Sequence, residues 1–350
     1  MQRITLVARI NGFSGYGMHG IQIARDLTRL IPAHVSIRAI NISELFGVRV
    51  PDDIRAMMVH RVQPEDFELL LDPPMFFPTP GKRTIYFTMW ESTKLPPIGP
   101  RVLNMAECVI CPTLWNASCF SASGVTVPIR VVPLGIKTEI FNYATPVSII
   151  HADGAKSNCV FGTGGRMAHG GVRKGINEVI RAFLKAFPDE QDVQLRVKAF
   201  PDCKVEKPED PRVDILQAML TEHQMREFYV SLTCFVSAAT GEGWGLMQQQ
   251  AMSCGRPVIS VEFGGVAAFF NDRVGYPIEF KLECSKNLYE GCGLWAVPNE
   301  DSLIDRMRYV YEHRAEAEEK GVMASQAVAH LSWENSNRML CGVLKEFGVI

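Results

Sequence analysis

The 350-residue chain is 47% hydrophobic and 21% charged, with 28 Gly and 21 Pro, which excludes a disordered, collagen-like or coiled-coil protein and leaves length for two core-sized units of about 150 residues each. Thirty-six Lys and Arg stand against 38 Asp and Glu, a net charge of −2, so no whole-molecule field draws the chain to nucleic acid or anionic lipid. The ten cysteines are scattered through apolar runs of a chain too large to need disulfide staples and read as reduced core thiols. Cys108-Val-Ile-Cys111 has the spacing of a zinc half-site, but it lies in a strand-like run without a second pair or a nearby His.

In chain order, MQRITLVARINGF carries a short apolar run that leads straight into a structured pattern, so a first strand is expected rather than a signal peptide. No apolar stretch reaches the roughly 20 residues of a membrane span, and a cytoplasmic location is the expectation. Strand-length apolar runs follow at 4–8, 35–40, 67–71, 84–88, 108–111 and 130–133. A helix repeats apolar residues at Met18, Ile21, Ala24, Leu27 and Ile31. The chain then turns polar through Ala144-Thr-Pro146 and Asp153-Gly-Ala-Lys-Ser157, a linker pattern in which His151 and Asp153 read as solvated despite their ligand-like spacing. A second series opens with a strand at 159–162, a Gly-rich turn, and a helix with the stripe Ile176, Val179, Ile180, Phe183, Leu184 and Phe187. Strands at 194–199, 234–237 and 257–260 and a helix over 302–319, with Leu303, Ile304, Met307, Val310 and Tyr311 on one face, complete it. This alternation predicts two doubly wound α/β units in tandem, with a ligand site where their strand C-terminal ends meet.

Three signals carry chemistry. Gly15-Tyr-Gly17-Met-His-Gly20, after the first strand, formally matches G-x-G-x-x-G, but strand 2 ends in Ile40-Asn41, without the acidic residue that holds a dinucleotide ribose. A tight turn and a glycine loop approaching phosphate or sugar both remain open. Phe161-Gly-Thr-Gly-Gly-Arg166, followed by Lys174-Gly175 before a helix, sets two cations about a Gly-rich turn; a diphosphate clamp and a solvated loop fit the spacing equally. Gly241-Glu-Gly-Trp-Gly-Leu246 runs into Gln248-Gln-Gln250 and Cys254-Gly-Arg-Pro-Val-Ile259, placing a carboxylate in a loop and an amide one turn into the next helix, where both can grip hydroxyls of one ligand. His19 fits an acceptor or phosphate contact or a surface turn, Trp90 and Trp244 fit ring stacking or core packing, and Phe76-Phe77 fits an acceptor groove or a strand cap.

Together these signals resemble the GT-B glycosyltransferases, specifically the family-four (glycosyl transferases group 1) retaining enzymes that use nucleotide sugars. The resemblance extends over nearly the full chain. It includes Thr88-Met-Trp-Glu91-Ser-Thr-Lys-Leu-Pro96, the bridging phrase Val131-Val-Pro-Leu-Gly-Ile-Lys-Thr-Glu-Ile-Phe141, and Leu331-Ser-Trp-Glu334 at the start of a final helix. It implies two Rossmann-like domains facing each other across a cleft. Residues 1–150 form the acceptor-binding domain, 156–331 the nucleotide-sugar domain, and a C-terminal helix within 333–350, near 333–346, crosses back to the first. The implied activity is retaining, metal-independent transfer of a hexosyl group from a UDP- or GDP-sugar to an acceptor hydroxyl, with no cofactor.

By the same resemblance, Arg166 and Lys174 neutralise the leaving diphosphate, Glu242 holds sugar hydroxyls, and Glu91 stands where many members place an active-site His. Gly15, Gly17, Gly165, Gly245, Leu246, Met247 and Gln250 bind the sugar donor, the first glycine loop completing the site as the domains close. Several positions depart from the family pattern. Gln250 replaces the second Glu of E-x7-E, Ala238-Ala-Thr240 replaces a frequent Pro-Ser-Arg, and Thr233 replaces an Asp. These departures motivate a catalytically inactive sugar-nucleotide-binding protein as the rival, with a GT-B nucleotide-sugar epimerase as a further one. The acceptor class is open among saccharides, lipid-linked sugars, small metabolites and, at lower expectation, a hydroxylated nucleic-acid base.

Overall fold

The computed structural model describes residues 2–11, 14–42, 49–144, 149–150, 156–157, 159–166 and 172–350. His151, Asp153 and most of the expected linker lie outside the described residues. The chain divides into two units: Met1–Gly135 with Gly291–Gly293 and Leu331–Ile350, and Ile136–Glu290 with Leu294–His330.

The first unit runs β1 (Arg3–Ile10), α1 (Gly15–Leu30), β2 (His34–Ile42), α2 (Asp52–Ala56), β3 (Phe67–Leu71), β4 (Thr84–Phe87), α3 (Gly99–Leu103), β5 (Cys108–Cys111), α4 (Leu114–Ala122) and β6 (Ile129–Val131). Its strands form one parallel sheet in the order β2-β1-β3-β4-β5-β6. Ile4, Leu6, Val7 and Ala8 are all fully buried, the near-continuous apolar run that a sheet covered on both faces requires. Gly15-Tyr-Gly-Met-His-Gly20 opens α1, as its place between the first strand and the first helical stripe suggests, and Ser14 caps the helix by accepting the Gly17 N–H at 3.0 Å. Gly17 is there for want of space, since a Cβ on it would lie 2.3 Å from the Asn11 carbonyl oxygen; Gly20 is tight against Ala8 at 3.2 Å, whereas a Cβ on Gly15 would meet nothing within 4 Å. The last helix, Trp333–Glu346, packs on α1 through Trp333, stacked on His19 at 5.1 Å, and through Asn337, whose Nδ2 donates to Asp26 at 2.6 Å.

The second unit begins with a short antiparallel pair, β7 (Ile149–Ile150) and β8 (Lys156–Ser157), and continues through β9 (Cys159–Gly165), α5 (Ile176–Ala186), β10 (Val193–Ala199), β11 (Val213–Gln217), α6 (Glu222–Val230), β12 (Cys234–Val236), α7 (Leu246–Ser253), β13 (Val258–Ser260), β14 (Gly275–Pro277), the hairpin β15 (Phe280–Cys284) and β16 (Leu294–Pro298), α8 (Glu300–Glu312) and α9 (Arg314–Val328). Six strands form a second parallel sheet, β11-β10-β9-β12-β13-β14. The α5 stripe packs as its period dictates, with Phe183 and Phe187 stacking beside Phe161 in the core; each such ring contributes about 1.5–3 kcal/mol by burial. The single helix expected over 302–319 is two. α8 buries Leu303, Met307 and Val310, His313 leaves helical geometry at φ −121° and ψ 52°, and α9 then turns a stripe of small residues, Ala317, Gly321 and Ala324, inward. A Cβ on Gly321 would sit 2.2 Å from the Gly255 carbonyl oxygen, so backbone contact rather than side-chain period sets α9.

All ten cysteines are free and nine are buried; burial pushes the Cys108 and Cys111 thiols up to about 12, so both are protonated in the core. No helix among the described residues is long and apolar enough to cross a membrane.

Candidate functional site

In the second unit the chain leaves β9 toward β10 and β11 on one side and returns to β12, β13 and β14 on the other. The reversal lies between β9 and β12, where an open parallel sheet forms a crevice at its strand C-terminal ends. The Gly-rich end of β9 comes close to its neighbours there: a Cβ on Gly164 would lie 2.6 Å from the Lys198 carbonyl oxygen, and one on Gly165 would touch the Lys174 side chain at 3.3 Å. Gly175 takes the left-handed conformation at φ +62°, and a Cβ on it would lie 2.2 Å from the Ala238 carbonyl oxygen, so only glycine lets α5 start against the loop after β12. Gly245, at φ +105°, plays the same part for α7, with Val266 where its Cβ would be. The Gly265 N–H donates to the Glu242 carbonyl at 2.7 Å and fixes the loop from the far side.

These close approaches gather the charged groups. Lys174 Nζ meets Glu242 Oε1 at 2.5 Å, and Arg173 Nη1 donates to Glu242 Oε2 at 3.2 Å and to the Gly241 carbonyl at 2.7 Å. Burial alone would raise the Glu242 carboxyl, but the Lys174 and Arg173 cations outweigh it and hold the carboxyl below its ordinary value. Arg166 pairs with Asp202 at 2.8 Å and lies over the Phe200 ring at 5.7 Å. Lys198, near the end of β10, is buried with Nζ 3.8 Å from the same ring; burial pulls it down to about 8, opposed by Cys203, and it has no carboxylate partner among the described residues. Arg173 and Lys198 were not singled out from the sequence. The Arg173-Lys174 dipeptide held the signal for the first, whereas Lys198 sits in a strand pattern and shows itself only through its neighbours.

On α7 the three glutamines part ways. Gln248 donates to Ser237 Oγ at 3.0 Å, and Gln249 accepts the Trp244 indole N–H at 2.7 Å. Gln250 Oε1 accepts the Tyr229 hydroxyl at 3.0 Å, leaving Nε2 without a hydrogen bond among the described residues. The Tyr229 phenol, raised well above its ordinary value by burial, is fixed as the donor in that bond. Leu246 and Met247 are half-buried at the start of α7. Trp244 is buried against Phe269 and Trp90 is buried with its N–H on the Lys94 carbonyl, which settles both as core residues.

Glu91 and Gly15 to Gly20 belong to the first unit. Its sheet reverses between β1 and β3, and a polar group collects at that reversal. Arg9, at a register shift in β1, forms an ion pair with the buried Asp72 just past β3, a carboxyl that burial raises against the opposing effect of Arg9. The Tyr16 hydroxyl donates to the Met89 carbonyl at 3.1 Å, within the electrostatic reach of Glu91 and Asp72. His19 fits neither reading offered for it. It is fully buried between Phe87 and Trp333, neither ring nitrogen has a hydrogen-bond partner among the described residues, and burial lowers it to about 3, so it is a neutral packing residue. Among the described residues no group of three or more His, Cys, Asp or Glu is placed to hold a metal ion.

Residues 158–310 match the sequence model of the glycosyl transferases group 1 family. A search of curated proteins finds no match. Among solved structures, the chain is similar to a sucrose-phosphate synthase from Thermosynechococcus elongatus (TM-score 0.70, 15% identity, 99% of each chain covered) and to Alr3699/HepE from Anabaena, solved with UDP and glucose (TM-score 0.70, 13% identity, 99% of this chain and 100% of that one). A glycosyltransferase from Rickettsia africae aligns equally well, at TM-score 0.70 and 12% identity over 99% of this chain and 98% of that one. The chain therefore has the two-unit Rossmann-like fold of the GT-B glycosyltransferases, and its residues 158–310 are similar to the group 1 glycosyltransferases.

Proposed function

We propose that the protein is a retaining glycosyltransferase that moves a sugar from a nucleoside diphosphate sugar, UDP-linked as in the HepE complexes, to an acceptor hydroxyl, without a metal ion. The observation that carries this reading is the pairing of Arg173 and Lys174 with Glu242 at the reversal of the second sheet, with Arg166 and Lys198 on the adjoining ends of β9 and β10. A departing diphosphate needs its growing negative charge met by preorganised donors, and guanidinium and ammonium groups supply that charge without a divalent ion. In this reading the diphosphate takes Lys174 and Arg173 partly away from Glu242, and the freed carboxylate accepts hydroxyls of the sugar. Unpaired N–H groups at the start of α7, beyond Gly245, add to the phosphate site. Gln250 Nε2 then meets the ribose while Tyr229 holds Oε1. The C1–phosphate oxygen bond breaks as the acceptor oxygen bonds C1 from the same face, and the acceptor proton passes to the departing phosphate oxygen. The first unit, with Arg9, Tyr16 and Glu91 at its own reversal, binds the acceptor.

Incubation with UDP-, GDP- and ADP-sugars, following release of free nucleotide with and without EDTA, tests the reading. EDTA-insensitive turnover with one donor supports it. Tight nucleotide binding without any release would favour the inactive binding protein instead, a reading encouraged by the engagement of Gln250 with Tyr229.

A further inference from the structure

The second unit contains a cavity of 420 Å³ that none of the charged residues of the sugar-donor site lines. Its walls are one face of α5, the β15–β16 hairpin and the start of α8, and the Ala238 to Thr240 segment contributes to them. The volume is ordinary for a small-molecule site, which spans roughly 300–1,000 Å³. Two lining residues are unusual. Trp295 is 2% exposed and Thr240 6%, yet Trp295 Nε1 and Thr240 Oγ1 have no hydrogen-bond partner among the described residues. Folded proteins keep few buried polar atoms in that condition, and a ligand is one way to satisfy them. Val297 and Pro298, both half-buried, give the cavity a small apolar surface on which the C–H face of a sugar ring can lie.

The rim is charged and unevenly matched. Arg181 is held by Glu178 and Glu206, and Lys185 is closed by Glu300 at 2.6 Å. Among the described residues Lys286 pairs only with Glu283, at 3.9 Å, and its side chain is 63% exposed, so its charge is available to an incoming anion. We propose that this cavity binds a carbohydrate bearing one anionic group, a sugar phosphate or a sugar acid. Its ring lies on the apolar surface, its oxygens take the Trp295 N–H and the Thr240 hydroxyl, and its anion pairs with Lys286. The Thr240 N–H also donates to the Arg173 carbonyl at 2.9 Å, so an occupant touches the segment that backs the Arg173 and Glu242 pair.

Calorimetric titration of the full chain, with no nucleotide sugar present, separates this site from any question of transfer activity. Glucose 6-phosphate and glucuronate distinguish the two anion sources, and glucose is the neutral control. At least one anionic sugar is expected to bind at least tenfold more tightly than glucose, and Lys286→Glu, at an exposed position, is expected to weaken it about tenfold or more. Trp295→Phe removes the N–H while keeping an aromatic ring and is expected to act in the same direction. Binding is expected to persist in Lys174→Ala. The proposal is overturned if neither anionic sugar binds at about 10 mM, if Lys286→Glu binds as tightly as the parent, or if Lys174→Ala abolishes binding, which would move the sugar to the diphosphate site.

Discussion

The two sheets put charge at the same topological place and use it differently. At the reversal of the first sheet Arg9 is matched by one buried carboxylate, Asp72, with Glu91 close by, so that mouth holds no surplus of positive charge. At the reversal of the second, Arg166, Arg173, Lys174 and Lys198 stand against Asp202 and Glu242, four cations for two carboxylates among the described residues. In the proposed reading, one α/β architecture thus serves a neutral, hydroxyl-rich ligand at one mouth and a diphosphate at the other. The difference lies in a few side chains at strand ends, not in the sheets.

The largest effect should come from removing a cation at the second mouth. Arg166→Ala and Lys174→Ala are each expected to lower kcat about 10²-fold or more in a nucleotide-release assay, because a developing charge loses its partner. Arg9→Ala should leave UDP affinity in calorimetry unchanged; a loss there like that at Lys174 would erase the distinction between the mouths. The glycines carry the comparison into stability. Gly175→Ala, left-handed and pressed on the Ala238 carbonyl, should cost about 2–4 kcal/mol in urea unfolding, whereas Gly15→Ala, with open space at its Cβ, should stay within about 0.5 kcal/mol.

Smaller effects sharpen the second mouth. Gln250→Ala should raise the KM for the sugar donor by a few-fold to roughly 30-fold with kcat little changed, as expected for one or two neutral hydrogen bonds. Gln250→Glu should be tolerated, since Tyr229 donates to a carboxylate oxygen as readily as to an amide oxygen. The smallest effect concerns pH. Lys198 titrates at about 8, so it is charged below that value and neutral above it. A phosphate prefers the charged form, so UDP affinity should be highest below pH 8 and fall by at most about tenfold between about pH 7 and about pH 9. Lys198→Arg, charged throughout that range, should flatten the profile.

Much of this architecture was legible because parallel sheets buried on both faces leave strong marks. The run Phe67 to Leu71 and the stripe Ile176 to Phe183 can be read from local sequence, since each element's burial repeats with its own period. The strands and helices without such a period were not legible: β15 exposes every residue, and α9 is placed by Gly321 touching backbone. The same division runs through the candidate site. The sequence by itself determined which residue types stand at the strand ends, because Gly-Gly-Arg166, Lys174-Gly175 and Gly-Glu242-Gly-Trp-Gly are contiguous and their glycines announce close backbone approach. It could not determine who pairs with whom. That Glu242 is shared by Arg173 and Lys174, that Gln250 is engaged by Tyr229, that Lys198 lies against the Phe200 ring with no carboxylate among the described residues, and that His19 is sealed between Phe87 and Trp333 were decided only by tertiary structure. Pairing and desolvation depend on distances between residues far apart in the chain, and those distances exist only once the strands have found their order in the sheet.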